Sequence, residues 1–272
     1  MQSLSQKKKI LAAEFSQHVV EVRVNAARAG LAVLSDIHQG LNDRKFLQQT
    51  VKFLLSLGPN VKVWLGGDST NSNTRNSKGN VLEEWASGDG QIYSLVEDIK
   101  PLVDSGQLIG ISSGNHPHRV FNEAFITVEM MIACLLGDKG LYKGDQGIVY
   151  FNVNKNLYTH YIQHKAMKKE NAYDYFNADV TWIEHYHKPS CKPKVIVEHN
   201  KYNKQPIVKE CWEIFNGSFQ TFPAYAKQAG YRPCLPGFFI TEMSGMQNNW
   251  GVIPYLDHQL HDLVERGYEI GK

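Results

Sequence analysis

The sequence is sparing in several respects. Its four cysteines, Cys134, Cys191, Cys211 and Cys234, stand far apart with no C-x-x-C pair. That spacing argues against a disulfide framework or a thiolate metal site and fits free thiols in a reducing compartment. No run of 18 apolar residues occurs, so no transmembrane helix and no membrane partner are expected. The basic start, Lys7-Lys8-Lys9, leads into an apolar stretch that Glu14 interrupts too early for a secretory leader, and a cytoplasmic location is the expectation. Charge of either sign is not in excess: 29 Lys and Arg face 27 Asp and Glu, a net +2 with His neutral. This balance implies no strong polyelectrolyte binding, while leaving nucleic acid and small anionic substrates open. Internal repeats and low-complexity linkers are also missing.

What remains is an ordinary globular composition. A chain of 272 residues, 42% hydrophobic and 21% charged, is ample for one buried core. A single domain over 1–272 is expected, with about 200–272 as a C-terminal extension or cover on it. Residues 4–16 read as a short helix. Val20, Val22 and Val24 alternate with Glu21 and Arg23, as in a half-buried strand. Leu31 to Ser35 is a buried strand, and Leu47, Val51, Leu54 and Leu55 place a helix over 44–57 before Gly58-Pro59-Asn60. Val61 to Leu65 and Leu108 to Ser112 are two more buried strands. Helices are predicted over 91–103 and 120–136, and a polar surface loop from Ser69 to Asn80. Further strands are predicted over Asp145–Val153, Leu157–Gln163, Val180–Ile183, Val195–Glu198, Ile207–Ile214 and Phe238–Glu242. Strand–helix alternation followed by strands indicates an α/β sandwich. The aromatic, Pro/Gly-rich stretch from Phe215 to Phe239 reads as core filling or as a long cover over a site.

Five polar clusters each close a predicted strand: Asp36-x-His38, Gly67-Asp68, Gly114-Asn115-His116, His164, and His185-x-His187. In α/β folds ligands gather at the carboxyl ends of strands. Taken singly, each cluster is better read as a turn, a cap or a surface pair. Taken together, carboxylate, amide and imidazole groups form an N/O donor set for divalent cations softer than Ca²⁺.

In order and spacing the five clusters resemble the calcineurin-like metallophosphoesterase family, whose pattern is D-x-H, G-D, G-N-H, H, G-H-x-H. The resemblance spans about residues 31–190 and is similar to phage-encoded members. It implies a metallophosphoesterase-type αββα sandwich of two mixed β-sheets flanked by helices. It implies two divalent metal ions, Mn²⁺ first and Fe, Zn²⁺ or Mg²⁺ as alternatives, holding a bridging hydroxide for in-line attack on a phosphate ester. Asp36, His38 and His187 are implied as ligands of one metal, Asp68 as the bridge, and Asn115, His164 and His185 as ligands of the other. His116 is implied as the catalytic residue near the phosphate, stabilising charge or protonating the leaving oxygen.

The chain departs from this pattern at Glu184, where the family carries glycine, at Pro117 after the Asn115-His116 pair, and at Lys165 after His164. Glu184 alters the charge of the site if it points inward. His160 shares a strand face with His164 and is the alternative ligand. Arg119 and Asn71 are candidate substrate-binding residues, the first because a guanidinium fork suits phosphate oxygens. Residues 150–210 carry ten Lys against six Asp and Glu, with Tyr173, Tyr175, Phe176, Trp182 and Tyr186 interleaved. Such a stretch suits a nucleic-acid strand, DNA or RNA, and is equally an ordinary solvated face. The expected activity is a phosphodiesterase or nuclease on nucleic acid or nucleotides. A phosphomonoesterase and a non-catalytic binding module with the same fold are the alternatives.

Overall fold

The computed structural model describes residues 4–75, 77, 81–164, 176–199, 202, 204–220, 227, 230, 233–247 and 250–271. Two mixed sheets pack face to face and helices flank them. The five-stranded sheet has the order β11-β10-β2-β3-β4, formed by β2 (Arg28–Leu34), β3 (Val61–Leu65), β4 (Leu108–Ile111), β10 (Phe239–Ser244) and β11 (Val252–Leu256). Within it β2, β3 and β4 run parallel, and β10 lies antiparallel to both β2 and β11. The six-stranded sheet has the order β1-β5-β6-β7-β9-β8, formed by β1 (Val19–Val24), β5 (Gln146–Val153), β6 (Asn156–Gln163), β7 (Val180–Ile183), β8 (Ser190–His199) and β9 (Pro206–Phe215). Here β6, β7 and β9 run parallel.

The layers follow from which faces are apolar. Leu31, Val33 and Trp64 of one sheet meet Val149, Phe151, Ile162, Val180 and Trp182 of the other, giving a dry core between the sheets. The outer face of the five-stranded sheet is covered by α2 (Arg44–Ser56), α3 (Gly88–Asp104), α5 (Val128–Leu135) and α6 (Asp257–Glu265), through Leu47, Leu54, Leu95, Ile99, Ile132 and Leu260. Asp43 starts α2, its carboxylate accepting from Phe46 N at 3.1 Å, and Ser87 caps α3 in the same way. The helix α1 (Leu4–Ser16) precedes β1.

Three expectations need correction. The helix read over 120–136 is two: α4 (Pro117–Ala124) ends at Phe125, which takes a left-handed conformation with φ 56°, and α5 follows. The lone strand at Val195–Glu198 is four residues of a ten-residue strand, because pairing with β9 runs from Ser190 to His199. The sequence reading also missed β11, a short apolar run interrupted by Pro254, and α6, whose apolar stripe is only Leu260, Leu263 and Val264. The last 70 residues thus supply β9, β10 and β11 to both sheets, and Phe219 and Phe238 are buried in the core beneath the helices. Lys165, Lys168, Lys169, Tyr173 and Tyr175 lie outside the described residues. No helix among the described residues is long and apolar enough to cross a membrane.

Candidate metal centre

The five clusters converge because the strands that carry them run parallel. Asp36 follows β2, Asp68 follows β3 and Asn115-His116 follows β4, all from the five-stranded sheet. His164 follows β6, and His185 and His187 follow β7, from the six-stranded sheet. Pairing continues past the strand ends: Asp36 N donates to Gly67 O at 2.9 Å and His38 N to Asp68 O at 2.9 Å. These bonds bring the first two loops into register above the sheet edge.

The two aspartates are held alike. Asp36 Oδ2 accepts from His185 N at 3.0 Å and Asp68 Oδ1 accepts from His116 N at 2.7 Å. The second oxygen of each, Asp36 Oδ1 and Asp68 Oδ2, is buried and accepts no well-directed hydrogen bond. Each faces a ring nitrogen instead, His187 Nε2 at 3.1 Å and His164 Nε2 at 3.2 Å. His164 Nε2 also lies 3.0 Å from Asn115 Oδ1, and His38 Nε2 lies 3.3 Å from His187 Nε2. Donor atoms of Asp36, His38 and His187 lie within 4.8 Å of one another, as do those of Asp36, Asp68, His164 and His185, and those of His38, Asp68 and His116. Asp68 therefore reaches His38 on one side and the His164–His185 pair on the other. Buried carboxylate oxygens without well-directed donors, facing imidazole nitrogens, are a fit for cations with N/O ligands. A fourth group, His261, Asp262 and Glu265, is exposed on α6 and reads as solvated surface.

The electrostatics agree with such a site. Burial by itself pushes Asp36 and Asp68 up, but His187 beside the first and His164 beside the second outweigh it and hold both below the usual carboxylate range. Burial likewise lowers His164, yet Asp68 and Glu184 more than compensate and raise it well above an ordinary histidine. Burial also opposes the rise of His187, and Asp36 overcomes it. His38 is pushed far down by burial and by the adjacent His116 and His187. Burial also lowers His116 and His185. The pattern is a concentrated negative field from two carboxylates that favours positive charge among the rings.

The backbone bears the cost of convergence. Asp36 (φ 51°), His38 (φ 50°), Asp68 (φ 54°), His185 (φ 76°) and His187 (φ 54°) are all left-handed. For residues with a Cβ this costs about 1–2 kcal/mol each, and such strain persists only where surrounding structure imposes it. A glycine before Asp68 and before Asn115 suggests tight turns at Gly67 and Gly114. Neither has positive φ; they allow close approach instead. A Cβ on Gly67 would collide with the His164 ring, and one on Gly114 with Asp68.

The remaining candidates separate clearly. His160 is fully buried in the core, with Nδ1 accepting from Trp182 Nε1 at 3.1 Å and Nε2 beside Met243 Sδ, so the structure brings His164 and not His160 to the cluster. Asn71, expected to face substrate, is 1% exposed. Its Oδ1 lies 3.2 Å from His38 Nδ1, its Nδ2 donates to Glu84, and its carbonyl lies 2.9 Å from His116 Nδ1. It orients both imidazoles so that their Nε2 atoms point inward. Arg119 donates to Asn73 Oδ1 at 3.2 Å and Ser77 Oγ at 3.3 Å, close enough to His116 for its charge to depress that ring. Glu184 is fully buried and contacts His164.

Sequence reasoning missed three supports. Glu129 is a buried carboxylate accepting from Gly114 N at 3.1 Å, and burial pushes it up to about 7; an acidic residue inside an apolar helical run was its signal. Asn216 donates to Val33 O and Ser35 Oγ, and Ser218 Oγ donates to Asp36 O at 2.9 Å, so the segment after β9 braces the first ligand loop. Nothing in their local pattern marks them.

The chain matches no protein-family model and no curated relative. Among solved structures, the chain is similar to the NAD nucleotidase of Haemophilus influenzae, at 12% sequence identity with a TM-score of 0.42, over 85% of this chain and 49% of that one. This chain spans about half the length of that protein.

Proposed function

We propose that this chain is a metal-dependent phosphoesterase that cleaves phosphodiesters of nucleic acid or nucleotides. One observation carries the reading: two buried aspartates, each pinned by a backbone N–H through one oxygen, aim their undonated oxygens at histidines arriving from the opposite sheet. Asp36, His38 and His187 would hold one divalent cation, Asn115, His164 and His185 a second, and Asp68 would touch both, with Mn²⁺ the first candidate. Bound there, such cations supply positive charge for phosphate oxygens and make a coordinated water acidic enough to serve as nucleophile.

The protein's own groups do the rest. Asn71 accepts from His116 Nδ1, leaving Nε2 as the nitrogen that exchanges a proton with the leaving oxygen. The negative charge of a bound phosphate favours the doubly protonated ring, opposing the burial that lowers it. Arg119, which donates to Asn73 Oδ1 and Ser77 Oγ, would meet a phosphate oxygen in this reading. An exposed ring series begins two residues after His116. His118 and Phe121 stack with centroids 5.4 Å apart, and Phe125 follows at 6.0 Å, 83% exposed. Such rings offer stacking surface for unpaired bases and support the nucleic-acid reading.

The test is hydrolysis of bis-p-nitrophenyl phosphate and p-nitrophenyl phosphate with Mn²⁺, then with EDTA. The expected result is metal-dependent cleavage favouring the diester. Preference for the monoester would replace the diesterase reading with a phosphatase, and no cleavage together with no bound metal would overturn the proposal.

A further inference from the structure

Resting on that reading, we infer that Glu184 is a positioning residue that fixes the ring of His164 and thereby sets the affinity of the Asp68–Asn115–His164–His185 half of the site. Glu184 directly follows β7, lies one residue before His185 and is 0% exposed. Its Oε2 does two things at once. It lies 3.2 Å from His164 Nδ1 and accepts from Gly67 N at 2.8 Å. The first contact assigns a proton to Nδ1, so that with a cation bound Nε2 would be the ligating nitrogen, beside Asp68 Oδ2 at 3.2 Å and Asn115 Oδ1 at 3.0 Å. The second ties the end of β7 to the loop that carries Asp68. A carboxylate behind a ligating histidine fixes its tautomer and orientation and strengthens it as a donor.

The neighbouring sequence is built around this carboxylate. Gly66 leaves the space it occupies: a Cβ there would collide with Glu184 Oε1 and press on Ser35 Cβ at 2.7 Å. Glu184 Oε1 itself accepts no hydrogen bond. A buried carboxylate with one undonated oxygen is costly to hold, and a glycine at this position would avoid that cost. The two residues form a matched pair, a side chain missing at 66 and a long one present at 184, that delivers one acceptor oxygen to two donors from different strands.

The pair makes a distinctive set of expectations. Glu184→Ala removes the acceptor from His164 and should weaken binding at one of two Mn²⁺ sites by about 10–100-fold in isothermal titration, leaving the other site within about threefold. Glu184→Gln keeps an oxygen for both donors and should lose clearly less affinity than Glu184→Ala. In a His164→Ala background, Glu184→Ala should cost nothing further at that site. The cobalt-substituted protein adds a spectroscopic reading: its visible ligand-field bands should shift in Glu184→Ala and return toward the parent in Glu184→Gln. Wild type binding two metals with unchanged affinity in Glu184→Ala, or additive losses with His164→Ala, overturns the inference while leaving the phosphoesterase reading intact. Wild type binding no metal overturns both. Should Glu184→Ala fail to fold, Glu184→Met, which fills similar space without a carboxylate acceptor, decides: loss of affinity at one site supports the role, and parental affinity with parental cobalt bands refutes it.

Discussion

His160 and His164 share a strand face and have opposite fates, and a pH experiment on the first separates them. His160 is wholly enclosed by Phe151, Trp182 and Met243, and burial lowers it from an ordinary value near 6.5 to about 3. The folded protein therefore keeps this ring neutral down to about pH 3, whereas the unfolded chain protonates it below about 6.5. The contribution to stability is complete above 6.5 and is lost progressively as pH falls toward 3. At pH 5 the unfolded state has gained about 1.5 units of advantage, or about 2 kcal/mol at about 1.4 kcal/mol per unit. The perturbation is His160→Phe, which fills similar space and cannot titrate. Losing the acceptor for Trp182 Nε1 costs about 1–3 kcal/mol at every pH, so the slope and not the absolute stability is the readout. Urea unfolding at pH 7.5 and 5.0 in EDTA should show the parent losing about 2 kcal/mol more than the variant between the two values. Equal pH dependence in the two proteins refutes the argument. Metal content of His160→Phe should equal that of the parent; loss of metal would make His160 a ligand after all.

Other outcomes follow from the same geometry. Asp68→Asn and His116→Ala should each abolish diester hydrolysis, with elemental analysis showing metal loss mainly in the first. Asn71→Ala, which frees both His38 and His116 from their orienting contacts, should lower kcat about 10–100-fold with a smaller change in thermal stability, checked by steady-state kinetics and a melting scan. Added Mn²⁺ should raise the Tm of the EDTA-treated protein, and a concentration 100 times Kd should be worth about 2.7 kcal/mol per independent site. No shift at millimolar Mn²⁺ would contradict the assignment.

Sequence pattern was informative wherever the side chain itself announces its environment. Val61 to Leu65 and Leu108 to Ile111 are short apolar runs closed by glycine and a polar residue, and they are buried parallel strands. The candidate clusters were legible because five of them in a fixed order each stand at a strand end. What stayed hidden depends on distant parts of the chain. Phe125 ends a helix that its apolar neighbours favour continuing, because its backbone turns left-handed. Asn71 looked like a loop residue facing substrate until Glu84 took its amide. Asn216 and Ser218 acquire their meaning only beside Val33 and Asp36, more than 180 positions earlier. The left-handed residues of the cluster reversed a local rule: Gly67 and Gly114 beside them have ordinary backbones and the residues with side chains carry the strain.

The split origin of the cluster bears on how the chain assembles. Asp36, His38, Asp68 and Asn115 come with one sheet, and His164, His185 and His187 with the other. Neither layer holds the full donor set, and contacts such as Asp36 with His187 and Asp68 with His164 form only after the two sheets dock. If the site takes up metal as proposed, uptake would act as a proofreading step for the finished sandwich: a chain with one layer mispaired would offer scattered histidines, and only the correctly closed one would gain the added stability of bound ions.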